Sequence, residues 1–391
     1  MSIRRLATRR NFILGLGALA GASIAVAGKS TSTYVKNLIH TSRYESRDFT
    51  TVGNAPLRDR AAAKGLIYGA VGDYLPLSTD KNYATSFARE CGMLVSGELK
   101  WYFIRPTPDS FDFTKSDWVA KFARASGMHF RGHTLVWHIS LPDWFEETVN
   151  RQNAEGFLVE HIKTVVGHYA GQIHSWDVLN EAIEPNDGRP DGLRKTPWLE
   201  FLGEDYLDLV FRVAAETDPQ ALLVYNDFGM DYDNPRDEAR RIAILKLLER
   251  LKSKGTPVHA LGIQAHLWAD ATDFNPKKLR DFLSQVASLG LKILITELDV
   301  ADHRLPPDVK LRDRVVAGVY EDYLSVVLDE PAVIAIITWG LSDRYSWMPE
   351  YHPRPDGLPL RPHPLDKHFQ PKLAWNAMAR AFDRAPMRSD K

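Results

Sequence analysis

IHSWDVLNE (173–181) and LKILITELD (291–299) are the two stretches that decide the fold. Each is an apolar run of strand length, and each brings a glutamate to its carboxyl end, Glu181 in the first and Glu297 in the second. Near-continuous apolar runs are how strands covered on both faces of a parallel sheet read. Working outward, runs of the same kind recur as LIYGAV (66–71), MLVSG (93–97), HFRGHTLVW (129–137), ALLVYND (221–227), VHALGIQAH (258–266) and VIAIITWG (333–340). Amphipathic patterns lie between them, such as LVEHIKTVVGHYA (158–170), EARRIAILKLLERLKSKG (238–255) and DRVVAGVYEDYLSVVLD (313–329). Eight strand–helix alternations predict an α/β fold, a parallel sheet closed into a (β/α)8 TIM barrel, as a single domain over residues 58–387. An open doubly wound sheet would carry a glycine-rich phosphate turn after its first strand, and GAVGDY (69–74) is a poor match to one.

The whole chain is compatible with that reading. Its 391 residues fit one barrel with insertions, and a hydrophobic content of 44% supplies a large core. A net charge of −1 gives no basic field for nucleic acid. One cysteine, Cys91, excludes an intramolecular disulfide framework and most thiolate metal sites. At the amino end, Arg4, Arg5, Arg9 and Arg10 precede the apolar run Phe12–Ala27, rich in glycine and alanine, and Ala25-Val26-Ala27 offers a cleavage site. Residues 1–27 are therefore expected to be an export signal, with Thr8–Ile13 resembling the twin-arginine type. The competing reading is an uncleaved anchor. Residues 28–57 read as an extension with no clear order. The expected location is outside the cytoplasm, periplasmic or extracellular, with no stable membrane association after processing.

The carboxyl ends of barrel strands are where chemistry gathers in this architecture. Glu181 and Glu297 would converge there, and two such carboxyls are what glycoside hydrolysis needs: a protonated acid for the leaving oxygen and an ionised partner. Other polar and aromatic residues fall at the same end: Lys100 and Trp101 after the second strand; His133, Trp137 and His138 after the third; Trp176 and Asn180 on the fourth; Asn226 and Asp227 on the fifth. Gln264 and His266 follow on the sixth, Asp299 on the seventh, and Trp339, Asp343 and Trp347 on the eighth. Hydrogen-bonding side chains such as Lys100, a donor, and His133, Asn180 and Gln264, which both donate and accept, suit sugar hydroxyls, and Trp137, Trp339 and Trp347 offer flat apolar faces to a pyranose. The histidines beside acids also fit a metal site, but neither H-x-H after the first strand nor HExxH is present. No metal and no cofactor is expected.

GHTLVWH, WDVLNE, GIQAH, ITELD and TWG-x-x-D-x-x-SW, in that order, resemble the family 10 glycoside hydrolases, the endo-β-1,4-xylanase family, from about Leu57 to about Phe382. The resemblance implies a retaining enzyme acting on xylan or xylo-oligosaccharides as a monomer, with Glu181 the general acid/base and Glu297 the nucleophile. A retaining pair stands roughly 5–5.5 Å apart. His266 and Asn226 are placed to hydrogen-bond Glu297 or orient the sugar, and Asp299, on the same side of its strand, to fix His266 in one tautomer. The chain also departs from the family. Ser96 and Gly97 stand where Glu-Asn usually precedes the Lys-Trp pair, with Glu98 shifted; Ser140 replaces a common glutamine, and Phe228-Gly229 a Tyr-Asn. The first two changes lie where the family grips the non-reducing-side sugars, the last on the leaving-group side. Two alternatives stay open at this point. One is a retaining hydrolase of the same fold with a shifted substrate, such as short or aryl β-glycosides or β-glucan, and the other is a glycan-binding barrel without catalysis.

Overall fold

The computed structural model describes residues 43–388. Its strands are β1 (Ile67–Val71), β2 (Met93–Ser96), β3 (His129–Val136), β4 (Ser175–Asn180), β5 (Leu222–Asp227), β6 (Ala260–Ile263), β7 (His266–Trp268), β8 (Lys292–Ala301) and β9 (Val333–Thr338). All neighbours pair in parallel, and β6 pairs with β8 to close an eight-stranded barrel, with β7 a short ribbon on the outer end of β8. All eight strand runs expected from the sequence are therefore present. The sixth is shorter than expected: VHALGIQAH (258–266) is not one strand, because Ala265 adopts φ 60° and turns the chain between β6 and β7.

The barrel is filled from the strands themselves. Met93, Val95, Val224, Ala260, Leu294, Ala335 and Ile337 form one buried cluster, while the alternate residues of the same strands face the helices. That period of two is what a strand buried on both sides requires. Gly132 of β3 shows how tight the fit is: the wholly buried indole of Trp176 from β4 occupies the space a side chain there would need, about 2.0 Å from an added Cβ. Trp176 is thus a core residue and not part of the polar end.

The helices start earlier than their apolar periodicity suggests. The expected 158–170, 238–255 and 313–329 are found as Ala154–His168, Pro235–Ser253 and Val309–Val327. Asn234 accepts from the backbone of Asp237 and Pro235 occupies the first turn; Asp308 accepts from Leu311. These caps satisfy orphan N–H groups ahead of the first apolar residue, so hydrophobic period alone starts the count late.

The segment before Leu57 is partly built into the domain. Tyr44 and Phe49 are buried, and the Tyr44 ring lies over Gly318, 2.1 Å from where a Cβ would stand. Tyr44 Oη donates to Asp322 at 3.0 Å, and Arg47 pairs with the same carboxylate at 2.7 Å. The expected boundary at residue 57 therefore divides a packed unit. The export-signal reading of residues 1–27 lies outside the described residues. Among the described residues no helix is long and apolar enough to cross a membrane.

Replacing Gly132 by Ala would drive a methyl into the Trp176 ring, an overpacking with no flexible neighbour to yield. We expect G132A to lose about 3 kcal/mol or more, measured by urea unfolding, whereas G171A, with nothing within 4 Å but a positive φ, should lose only about 1 kcal/mol.

Candidate active site

The barrel brings Lys100, His133, Trp137, Asn180, Glu181, Asn226, Gln264, His266, Glu297, Asp299, Trp339 and Trp347 together at the carboxyl end of its strands. Four others from the same motifs do other work. Trp101 is buried and stacks on His161 with ring centroids 3.8 Å apart. Asp343 binds Lys372 Nζ at 3.0 Å, and Asp227 pairs with Arg240 at 3.1 Å, so both are structural carboxylates. Trp176 belongs to the core, as described above.

Glu297 is 5% exposed and held from two sides. Asn226 Nδ2 donates to Oε1 at 2.9 Å, and His266 Nε2 meets Oε2 at 3.2 Å. Asn226 is itself fixed by Thr296 Oγ1, which donates to its Oδ1 at 2.7 Å, and it donates to Asn180 Oδ1 at 2.8 Å. Burial pushes the Glu297 carboxyl up, but the His266 hydrogen bond, the nearby His133 and the Asn226 amide outweigh it and hold it below the usual carboxylate range.

His266 corrects one expectation. Its Nδ1 lies 2.9 Å from Asp299 Oδ1 while Nε2 faces Glu297. Two carboxylate acceptors require both ring nitrogens to donate, so Asp299 does not select a neutral tautomer; it stabilises an imidazolium. Burial disfavours that cation, yet the two carboxylates raise its pKa to about 10. Trp347 Nε1 donates to the other Asp299 oxygen at 2.8 Å, which gives this indole a positioning contact as well as a half-buried face.

Glu181 is less enclosed. Gln264 Nε2 and Asn180 Nδ2 donate to its Oε1 at 3.0 and 3.2 Å. Its backbone is left-handed, φ 56°, a conformation costing of order 1–3 kcal/mol for a residue with a side chain. The strain is clamped at both ends: its N–H donates to Asn226 O at 2.9 Å, and its carbonyl accepts from Arg194 Nε at 2.7 Å. Asn180 and Asn226 thus link the two carboxyls in one amide network.

Lys100 occupies the floor beside them, with Nζ 5.7 Å from the Trp137 ring centre and 6.0 Å from that of Trp339. Burial lowers its pKa, opposed by Asp73, Glu297, Glu181 and Glu98. His133 stands edge-on to Trp339 at 5.1 Å, its Nδ1 held by Asp177 Oδ2 at 3.0 Å, and Arg131 pairs with the other Asp177 oxygen.

Several residues of this site escaped sequence reasoning. Arg131 and Asp177 are two of them: Arg131 and the already expected His133 on β3 pair in register with Ser175 and Asp177 on β4. An arginine and a histidine two apart on one strand, facing a serine and an acid two apart on the next, was the readable signal. Asp73 had no such signal: its Oδ1 lies 2.5 Å from where a Cβ on Gly97 would stand, so it fills the space a larger residue there would take. Glu98 does not replace that group, because its carboxylate turns back to the backbone N–H of Tyr74 at 2.6 Å and to Ser96 Oγ at 3.4 Å. Burial and the charge of Asp73 raise Glu98 to about 7. Trp268, half-buried beside His303 and His352 at 5.3 and 5.0 Å, adds a further aromatic face on the β7 side. Among the described residues no group of three or more His, Cys, Asp or Glu is arranged to hold a metal.

Comparison with known proteins places this geometry in context. A sequence model described as Glycosyl hydrolase family 10 matches residues 56–381. The Beta-1,4-xylanase of Dictyoglomus thermophilum is 36% identical over 289 residues, spanning 71% of this chain and 78% of its own. Native xylanase 10B from Thermotoga maritima superposes with a TM-score of 0.77 at 32% identity, covering 84% of this chain and 98% of its own. Xylanase 10B from Thermotoga petrophila RKU-1, crystallised in complex with xylobiose, gives 0.77 at 31% identity, covering 86% and 99%.

The His266 ion pair predicts a stability profile. Its pKa is about 10 in the folded chain and about 6.5 in the unfolded one, so the stabilisation is complete below pH 6.5 and fades as pH rises toward 10. The midpoint of urea unfolding should fall steadily from pH 7 to 10. His266→Gln should start lower at pH 7 and show a flatter slope over the same window.

Proposed function

The chain belongs to glycosyl hydrolase family 10, and from that premise we propose that it is an endo-β-1,4-xylanase that cleaves internal bonds of xylan and xylo-oligosaccharides with retention, through Glu297 and Glu181. The observation that carries the assignment of roles is the unequal setting of the two carboxyls. Glu297 is buried, faced by the His266 imidazolium and lowered in pKa, which suits an anion that must attack. Glu181 has both amide donors on Oε1, which leaves Oε2 to carry a proton toward the glycosidic oxygen.

In the first step Glu297 attacks the anomeric carbon while Glu181 gives its proton to the departing oxygen, leaving a glycosyl ester on Glu297. Esterification removes the negative charge of Glu297, so Glu181, now ionised, takes a proton from water as that water attacks the same carbon. Asn226 and His266 stay in place through both steps, since each is anchored by a second partner. Lys100, His133, Asn180 and Gln264 line the sugar's polar edge; Trp137, Trp339 and Trp347 supply the faces on which it lies.

A polymer such as xylan does not enter the cytoplasm, and the arginine-led apolar run of residues 1–27 supports export of the folded enzyme. The substituted grip at Ser96, Gly97 and Ser140 bears on chain-length preference. Asp73 now stands in that wall, and Ser140 (φ 58°) uses its carbonyl to bind the Tyr102 N–H at 3.0 Å.

Glu297→Ala should cut turnover of xylan and of aryl β-xylosides by about 10⁴-fold or more with the circular dichroism spectrum unchanged. Glu181→Ala should slow xylan by about 10²–10⁴-fold but substrates with good leaving groups far less, and azide should restore part of the rate on the latter. Equal losses on both substrate types would contradict acid catalysis by Glu181.

A further inference from the structure

The amino end of the barrel carries a basic cleft that the hydrolysis of a sugar at the opposite rim does not use. It is an open hollow of about 660 Å³ between the last turn of the helix Thr114–Ala125 and the entries to β3 and β4, and its lining includes Arg124, Met128, His129, Gln172 and His174. His129 is the first residue of β3 and His174 immediately precedes β4. Their rings stand 5.1 Å apart, tilted by 59°. No carboxylate lines the hollow.

The polar groups around it are basic or neutral. Arg124 donates to the neutral Gln172 Oε1, the only hydrogen bond of its guanidinium among the described residues. Arg58 bears on His129 from the helix Leu57–Ala62 and is held by the carbonyls of Ala88, Ser126 and Gly127 at 2.8, 3.2 and 2.9 Å. Ser126 and Gly127 follow the helix Thr114–Ala125, so Arg58 covers the negative pole that would otherwise face the cleft. Behind His174, Arg131 Nη1 donates to Ser175 Oγ at 2.8 Å, and its other terminal nitrogen pairs with Asp177 inside the barrel. The Ser175 hydroxyl lies 3.1 Å from His174 Nδ1. An arginine accepts nothing, so the Ser175 proton goes to Nδ1 and Nε2 of His174 is left as an N–H donor. The acid at the edge of the cleft, Asp218, is buried and accepts the N–H groups of Gly171 and Gln220 at 3.0 and 3.1 Å. Burial and then Arg58 hold the His129 ring below its usual pKa, and burial, His129 and Arg131 hold that of His174 at about 4. Both rings are therefore neutral at pH 7, each with one N–H to give.

We propose that this cleft is an anion site that takes a phosphate group through Arg124, His129 and His174, at the end of the barrel away from the catalytic carboxyls. Three donors from three separate elements suit a tetrahedral oxyanion better than a carboxylate, which presents only two oxygens. An anion seated between the rings opposes the positive charge of the arginines and draws a proton onto each imidazole, so binding takes up protons and tightens as pH falls. The hollow exceeds a single ion in size, which suits a phosphate carried on a small organic body. None of these residues belongs to the hydrolytic machinery, and the proposal does not depend on the xylanase reading.

Isothermal titration calorimetry on the full chain tests this with sulfate, whose charge is constant between pH 5.5 and 7.5, and with inorganic phosphate, glucose 1-phosphate and glucose. Sulfate should bind the wild type about tenfold more tightly at pH 5.5 than at pH 7.5. Arg124→Gln should weaken both inorganic anions about tenfold and, at an exposed position, keep the wild-type melting curve in chloride. His174→Gln should weaken sulfate about fivefold at pH 5.5 and flatten its pH dependence. Tighter binding of glucose 1-phosphate than of inorganic phosphate assigns the site to a phosphate on a larger molecule, and equal binding assigns it to the ion itself. Anion affinity unchanged in Arg124→Gln, glucose bound as tightly as its phosphate, or no binding of either inorganic anion at millimolar concentration would each overturn the proposal. Zinc bound more tightly than the anions, and lost in His174→Gln, would make the histidine pair a metal chelate instead.

Discussion

Glu297 is a charge withdrawn almost wholly from water, and an uncompensated carboxylate in such a place would take up a proton instead of remaining an anion. The His266 imidazolium is what prevents that. Its two N–H groups span Glu297 and Asp299, and through Asp299 the arrangement reaches Trp347. Much of the local architecture serves this contact. The kink at Ala265 ends β6 early so that His266 can pair in register with Asp299 instead of continuing along the barrel wall. Asn226 meets the other oxygen of Glu297, and Thr296 next door decides which way that amide points.

The second carboxyl is placed by strain. Glu181 and Ala265 both hold left-handed backbones at the rim of the barrel, where strand ends give way to loops. Such conformations persist only where surrounding contacts over-determine them. Here the contacts are the Asn226 carbonyl, the Arg194 guanidinium and a barrel interior packed closely enough that Gly132 leaves room only for an indole. The stiff interior is the reason the polar rim can be held in geometries the local sequence would not choose.

This division also explains what could be read in the sequence. Eight apolar runs with glutamates at two of their ends were legible, because a strand buried on both faces has few other ways to be written. The motif residues Asn180, Glu181, Asn226, Gln264, His266 and Glu297 converge because each lies where its strand leaves the barrel, Glu297 one residue before the pairing of β8 with β9 ends at Leu298, and those points share one rim. What failed was local chain direction and charge state. GIQAH read as the tail of one strand, since a left-handed alanine leaves no mark in hydropathy. His266 read as one fixed tautomer although both carboxylates were expected beside it, since the sequence does not show that each ring nitrogen meets its own carboxylate. Asp73 was silent for a similar reason: it is defined by the side chain Gly97 lacks.

The central claim is that Glu297 attacks the sugar directly, and the stereochemistry of the first product tests it without any variant. Proton NMR of a xylo-oligosaccharide digest, followed from the first minutes before mutarotation, reports the anomer released. Direct attack followed by hydrolysis requires two inversions at one carbon, so the β-anomer should appear first and the α-anomer only later as the sugars equilibrate. An initial α-anomer would mean that water attacks in a single step, and that the buried Glu297–His266 pair serves a base and not a nucleophile.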